Sequence, residues 1–102
     1  MPGSKEDIAN VLNEIVDLFD RIHPIGNKAQ RKITFQPVAY KIQQLEFLVG
    51  EIMPYMLENA RRVKTHYGAA FGVEITNEHS FEQHMAWANS AIYRIRAELK
   101  KI

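Results

Sequence analysis

The sequence predicts an all-α protein, a three-helix antiparallel bundle with a long central helix kinked at a proline. Apolar residues recur at intervals of three and four in three long segments, which is the periodicity of amphipathic helices. Each segment begins at a residue favoured at helix starts. The chain has 102 residues, a length that suits one helical domain over residues 1–102.

The first helix is predicted over residues 4–23. Ser4 is a good N-cap, and Asp7 three residues later completes a weak capping box. Pro24 ends the helix, because the residue before a proline is disfavoured in the α region. The apolar face consists of Ile8, Val11, Leu12, Ile15, Val16, Leu18, Phe19 and Ile22.

The connection that follows covers residues 24–37 and contains the turn signal Gly26-Asn27. Residues 31–35 have β character and predict a short extended segment. A connection of this length is unusual between two helices, and long ordered loops often carry function.

The central helix is predicted over residues 37–68, with Pro37 at its first position. Pro54 removes one backbone hydrogen bond, and we expect a bend between Gly50 and Pro54 because the apolar pattern resumes in phase. Gly68 or Gly72 should then end the helix in the left-handed conformation. The apolar positions are Val38, Ile42, Leu45, Val49, Ile52, Met56, Ala60, Val63, Tyr67 and Ala70.

The third helix is predicted over residues 80–101, after a second short β segment at residues 71–76. Ser80 and Gln83 form its capping box. Its apolar residues step by four and three without a break: Phe81, Met85, Ala88, Ile92, Ile95, Leu99 and Ile102.

A central helix of this length predicts an oligomer. It would exceed its two neighbours by about 10–15 Å at 1.5 Å per residue, and it carries apolar residues outside its main stripe. We therefore expect a second copy to cover them, although the kink could instead fold the helix over its own core. Trp87 could anchor the same interface or flank the core. The predicted interface residues are Phe47, Leu48, Met53, Leu57 and Trp87.

Composition excludes several classes of protein. The 13 basic and 12 acidic residues give a net charge of +1, which exerts no global attraction to nucleic acid or membrane. No segment is long and apolar enough to span a membrane, and the N-terminus lacks a signal peptide. The chain has no cysteine, which fits a cytoplasmic location.

Positive charge is nevertheless unevenly distributed. In a three-helix bundle the connection 24–37 and the end of the third helix meet beside the start of the central helix, which Gln36 caps poorly. Free amides, cations and aromatic rings would form an anion or nucleotide site, the predicted basic pole, unless these charges are simply solvated. Its residues are Lys28, Arg31, Lys32, Tyr40, Tyr93, Arg94, Lys100 and Lys101.

Catalytic and metal-binding patterns are weak. Ser4 and Ser80 are better explained as helix caps, and no glycine-rich phosphate loop occurs. His79 and His84 flank Glu82, but residues 82 and 84 would point to different sides of a helix. We therefore predict no enzyme activity, no catalytic residue, no metal site and no cofactor.

The sequence favours a small oligomeric protein that acts by macromolecular binding, as an adaptor, inhibitor, regulatory or assembly component. The partner would be a protein. The alternative is a protein that binds or sequesters a nucleotide, another phosphorylated ligand or nucleic acid through the basic pole.

Overall fold

The computed structural model describes residues 4–73 and 80–102, and every regular element in these ranges is helical. This confirms the all-α prediction. There are four α-helices within the described ranges, and a short 3₁₀ turn, Pro54–Met56, lies between the second and the third. The helices are α1 (Lys5–Arg21), α2 (Lys28–Ile52), α3 (Leu57–Phe71) and α4 (Phe81–Leu99).

The helices alternate in direction, as side-chain contacts at the two ends of the bundle show. At one end, here called the aromatic end, Phe19 of α1 contacts Phe35 of α2 and Phe71 of α3. At the other end, called the C-terminal end, the Lys5 Nζ donates to the main-chain oxygen of Ile102 over 2.7 Å. The first turn of α1 therefore lies beside the end of α4.

Three helix boundaries confirm the local sequence signals. The Asp7 amide donates to the Ser4 hydroxyl, and the Ser4 amide donates to the Asp7 carboxylate, so the capping box of α1 is complete. Ser80 caps α4 by accepting from the Gln83 main-chain amide, which is one of the two hydrogen bonds of the predicted capping box; the return bond to the Gln83 side chain is not formed among the described residues. Gly72 ends α3 with a φ of 81°, the left-handed conformation that glycine adopts without steric cost.

The start of α2 differs from the prediction. The helix begins at Lys28 because Asn27 and Gln30 form a reciprocal capping box, with hydrogen bonds of 2.8 and 2.9 Å. Pro37 therefore lies inside the helix, and residues 31–35 are helical, not extended. Of the second predicted β segment, residues 74–76 lie outside the described residues.

The predicted kinked central helix is wrong, because residues 37–68 are divided between α2 and α3. Pro54 cannot donate a hydrogen bond, and it holds Met53 outside the helical region, at φ −145° and ψ 70°. The Met53 side chain is fully buried, which anchors this corner in the core. The chain then reverses, and α3 packs back along α2.

The buried residues of all four helices form one continuous core. The pairs α3–α4, α1–α2 and α2–α3 make the main contacts. At the aromatic end the ring of Phe19 stacks on Tyr67, with centroids 4.1 Å apart and planes 14° apart. On the surface between α1 and α2, Lys41 of α2 pairs with Glu14 of α1 over 2.6 Å.

Candidate functional site

The predicted basic pole does not form, because its residues lie at opposite ends of the bundle. Arg31 is at the aromatic end, where its guanidinium lies against Gly72. Lys100 lies at the C-terminal end and lines a groove with Lys5 between α1 and α4. With four helices instead of three, α4 ends beside the start of α1 and not beside the start of α2. The predicted uncapped helix start is also absent, since Asn27 caps α2.

The remaining residues of the predicted pole are distributed over three surfaces. Lys32 and Tyr40 line a groove along α2, and Lys28 is exposed in the first turn of that helix. Tyr93 belongs to the groove between α1 and α4, whereas Arg94 lines a different cavity between α3 and α4. Lys101 is exposed and lies near Glu98, at an Nζ–Oε2 distance of 3.7 Å.

Two of the five predicted interface residues need correction. Leu48 is 7% exposed and Met53 is fully buried, so both belong to the core of the single chain. They are covered because the reversal at Met53 brings α3 against α2 as a second neighbour. Leu57 is half-buried, and Trp87 is 36% exposed. Phe47 is 65% exposed and remains available to a partner.

Phe47 belongs to an exposed stripe that runs along α2, here called the α2 seam. Ile33, Tyr40 and Phe47 recur at intervals of seven and are 71%, 62% and 65% exposed. Residues seven positions apart lie on the same face of a helix, and so do the residues three or four positions away that fall between them. The buried residues of α2 lie on the opposite face. The complete α2 seam consists of Ala29, Ile33, Gln36, Tyr40, Gln43 and Phe47.

A groove of about 780 Å³ borders the α2 seam. The aliphatic and aromatic groups of Ile33, Phe35 and Tyr40 line it from α2, and Lys64 and Val73 line it from the side of α3. The side-chain Nε2 of Gln36 donates to the Tyr40 hydroxyl over 2.9 Å, which orients the tyrosine along the helix surface. This seam and groove form an apolar surface rimmed by polar groups, a combination typical of binding sites.

Charge is polarised along α2. Its first turns carry Lys28, Arg31 and Lys32 without an acidic residue, whereas its last turns carry Glu46 and Glu51 without a basic one. Lys32 and Glu46 both line the groove beside the α2 seam. The surface is therefore basic at one end and acidic at the other.

Two tyrosines have raised pKa values, and neither lines the groove. Burial in the aromatic end raises the pKa of Tyr67 to about 12; the nearby Asp20 also raises it, while Arg96 lowers it. The hydroxyl of Tyr55 donates to the Glu98 carboxylate over 3.0 Å, and this hydrogen bond raises the pKa of Tyr55 above its ordinary value.

Metal-binding geometry is absent from residues 4–73 and 80–102, where no three His, Asp or Glu side chains come together. His79 of the weak histidine cluster lies outside the described residues. His84 instead contacts His66 of α3, with their Nδ1 atoms 3.3 Å apart. Sequence reasoning missed this pairing, which no spacing along the chain could reveal. It also missed the α2 seam, although the interval of seven residues between its large apolar side chains was a usable signal.

The helices of the described ranges are all too short or too polar to cross a lipid bilayer. No protein-family model, curated protein or solved structure matches this chain.

Proposed function

We propose that this protein acts by macromolecular binding through an oligomeric helical scaffold, as an adaptor, inhibitor, regulatory or assembly component. The α2 seam is the surface on which copies associate. The observation that carries this proposal is the row of three large apolar side chains opposite the core, each about two-thirds exposed. The absence of cysteine fits a role in the cytoplasm.

The energy available on this surface suits a reversible dimer. Burying a large apolar side chain contributes roughly 1.5–3 kcal/mol. A dimer buries three such side chains from each copy, and because each is about two-thirds exposed, the six together contribute roughly 6–12 kcal/mol. Association costs about 4–15 kcal/mol in lost freedom. Micromolar dimerisation requires a net gain of about 8 kcal/mol, which these two terms supply only when burial is near the top of its range and the association cost is near the bottom. We therefore expect a weak, reversible dimer at micromolar concentration, with electrostatic complementarity contributing to the affinity and selecting the geometry.

Charge complementarity favours a second copy of this chain in antiparallel orientation. Antiparallel α2 helices bring the basic first turns of one copy beside the acidic last turns of the other. A parallel pair would place Lys32 beside Lys32 and Glu46 beside Glu46. Opposite charges across an interface set orientation and register, and like charges oppose pairing.

Light scattering at micromolar concentration tests the proposal. The unmutated chain should have the mass of a dimer, and Phe47→Glu should give a monomer with unchanged helicity, because Phe47 is outside the core. Tyr40→Glu should dissociate the dimer too, whereas the matched change Tyr93→Glu, at an exposed tyrosine of α4, should not. A monomeric mass for the unmutated chain would refute the proposal.

A charge exchange tests the orientation. Lys32→Glu and Glu46→Lys should each weaken the dimer, because each places like charges near one another in an antiparallel pair. The double variant should regain much of the lost affinity. If it is weaker than both single variants, the antiparallel orientation is wrong.

Binding of a nucleotide through the basic pole has no support, since the two groups of cations that would form it lie at opposite ends of the bundle.

A further inference from the structure

A second site lies between α3 and α4, away from the α2 seam. It is a cavity of about 290 Å³ lined by Asn59, Arg62 and His66 of α3 and by Trp87, Ser90 and Arg94 of α4. Residues 59, 62 and 66 share one face of α3, and residues 87, 90 and 94 share one face of α4. Ser90 and Ala91 are small, and they leave space between the larger side chains around them.

The charge of this cavity is positive. Arg62 and Arg94 are both exposed and come from different helices. Neither belongs to an ion pair among the described residues. The described lining contains no acidic residue. Glu98, one turn after Arg94, is engaged by the Tyr55 hydroxyl and lies near Lys101. Two guanidinium groups from facing helices suit a phosphate group, which arginine binds through several N–H groups at once.

Aromatic rings form one wall of the cavity. The ring of His66 packs 5.1 Å from Trp87 and 5.6 Å from His84, centroid to centroid. His84 is only 5% exposed, and its Nδ1 lies 3.3 Å from that of His66, so one ring donates and the other accepts. This pairing fixes His66 beside Trp87, whose indole lines the cavity and is 36% exposed. A flat aromatic ligand can pack on such a wall.

One further lining residue has unused hydrogen-bonding capacity. The amide oxygen of Asn59 is buried and accepts no hydrogen bond from the described residues, while its nitrogen contacts only the sulfur of Met56. A buried acceptor without a partner is destabilising. This oxygen has essentially no solvent-accessible surface, so a ligand that carries an N–H or O–H donor reaches it only if the Asn59 side chain rotates toward the cavity.

We propose that the cavity between α3 and α4 binds a mononucleotide, with the phosphate on Arg62 and Arg94 and the base against Trp87. The volume of about 290 Å³ is just below the range of about 300–1,000 Å³ for small-molecule sites, which favours one nucleotide over a larger cofactor. The site is independent of the proposed dimer, since none of its residues lies on α2.

Adenosine monophosphate is a suitable probe, because Trp87 is the only tryptophan of the chain and its fluorescence reports on the cavity. We expect saturable quenching with excitation at 295 nm, and isothermal titration should give the same affinity. Adenosine and inorganic phosphate should each bind at least about tenfold more weakly, because each lacks one half of the recognition. Equal binding of adenosine would refute the role of the two arginines.

Arg62→Ala and Arg94→Ala should each weaken binding about tenfold or more, since a hydrogen bond to a charged group is worth about one to two powers of ten in affinity. The matched control is Arg61→Ala, which removes the neighbouring exposed arginine that does not line the cavity. Ser90→Phe should block the cavity while leaving both charges in place. Circular dichroism checks that each variant is folded.

The proposal is overturned if millimolar adenosine monophosphate neither quenches Trp87 nor releases heat. It is also overturned if Arg61→Ala weakens binding as much as Arg62→Ala does, because the effect would then be that of overall charge. Light scattering on the same samples separates this result from the proposed self-association.

Discussion

Removal of the Phe19 ring should substantially lower the free energy of unfolding. Its ring stacks on Tyr67 at 4.1 Å and meets Phe35 and Phe71 edge-on at 6.3 and 5.9 Å, so it joins α1 to α2 and α3. Phe19 is 6% exposed, and the aromatic end therefore depends on a ring that has almost no solvent contact.

Phe19→Leu keeps an apolar side chain and removes the ring. A change between large apolar residues usually costs below about 1.5 kcal/mol, and each lost aromatic pair adds about 0.5–1.5 kcal/mol. Because leucine retains part of the packing, we expect a loss of about 2–4 kcal/mol in the free energy of unfolding. A domain of this size has about 5–15 kcal/mol in total. The melting temperature should fall by at least about 8 °C.

Urea and thermal unfolding followed by circular dichroism measure this loss. The matched control is Phe81→Leu, at a phenylalanine that is 52% exposed in the first position of α4. It should change stability by no more than about 0.5 kcal/mol, as is usual for surface changes. All variants must be compared at one protein concentration, because self-association would stabilise the folded state. If Phe19→Leu costs no more than Phe81→Leu, the aromatic end does not stabilise the fold as described.

Three further predictions concern two glycines and the pH dependence of stability. Gly50→Ala should stabilise the chain by about 0.5–1 kcal/mol, because the position is helical and the added carbon meets nothing within 4 Å. Gly72→Ala should cost about 1–2 kcal/mol, because of its φ of 81° and the Arg31 guanidinium 2.7 Å from the new carbon; urea unfolding measures both. The folded pKa of Tyr67, about 12, exceeds its unfolded value near 10. The contribution of protonated Tyr67 to the free energy of unfolding should therefore be complete below about pH 10 and be lost as the pH rises toward 12. Urea unfolding measured at alkaline pH should show this loss for the unmutated chain and not for Tyr67→Phe.

Local signals predicted the parts of the fold that depend on neighbouring residues. The caps at Ser4 and Ser80 and the left-handed Gly72 each require residues at most five positions apart, and all three occur. The start of α2 was also encoded locally, in the capping box of Asn27 and Gln30. It was missed because Pro37 is a favoured first residue of a helix. Pro37 is instead accommodated inside α2, where the residue is exposed and its missing N–H leaves the Ile33 carbonyl without its usual helical donor.

The reversal at Met53 could not be predicted from periodicity. Apolar residues continue in phase across Pro54 whether the chain bends or turns back, because α2 and α3 both need an apolar face toward the same core. Only the tertiary structure distinguishes the two outcomes, through the burial of Met53 and the packing of α3 on α2. The number of helices also decides which helix ends lie beside one another. With one additional helix, the end of α4 lies beside the start of α1 and not beside the start of α2, so the cations of the predicted basic pole are separated.

The self-association hypothesis depends in the same way on where α2 begins. A helix that starts at Pro37 contains only Tyr40 and Phe47 of the apolar seam residues, and its surplus apolar side chains then look scattered. A start at Lys28 adds Ile33 and Ala29, and the exposed residues become a repeat of three and four opposite the core. A helix with two apolar faces needs two sets of neighbours. This argument for self-association still applies, but the residues that carry it are those of the α2 seam. Leu48 and Met53 find their neighbours within the chain, whereas the large apolar side chains of the α2 seam remain about two-thirds exposed. The predicted second copy consequently has a defined surface to occupy.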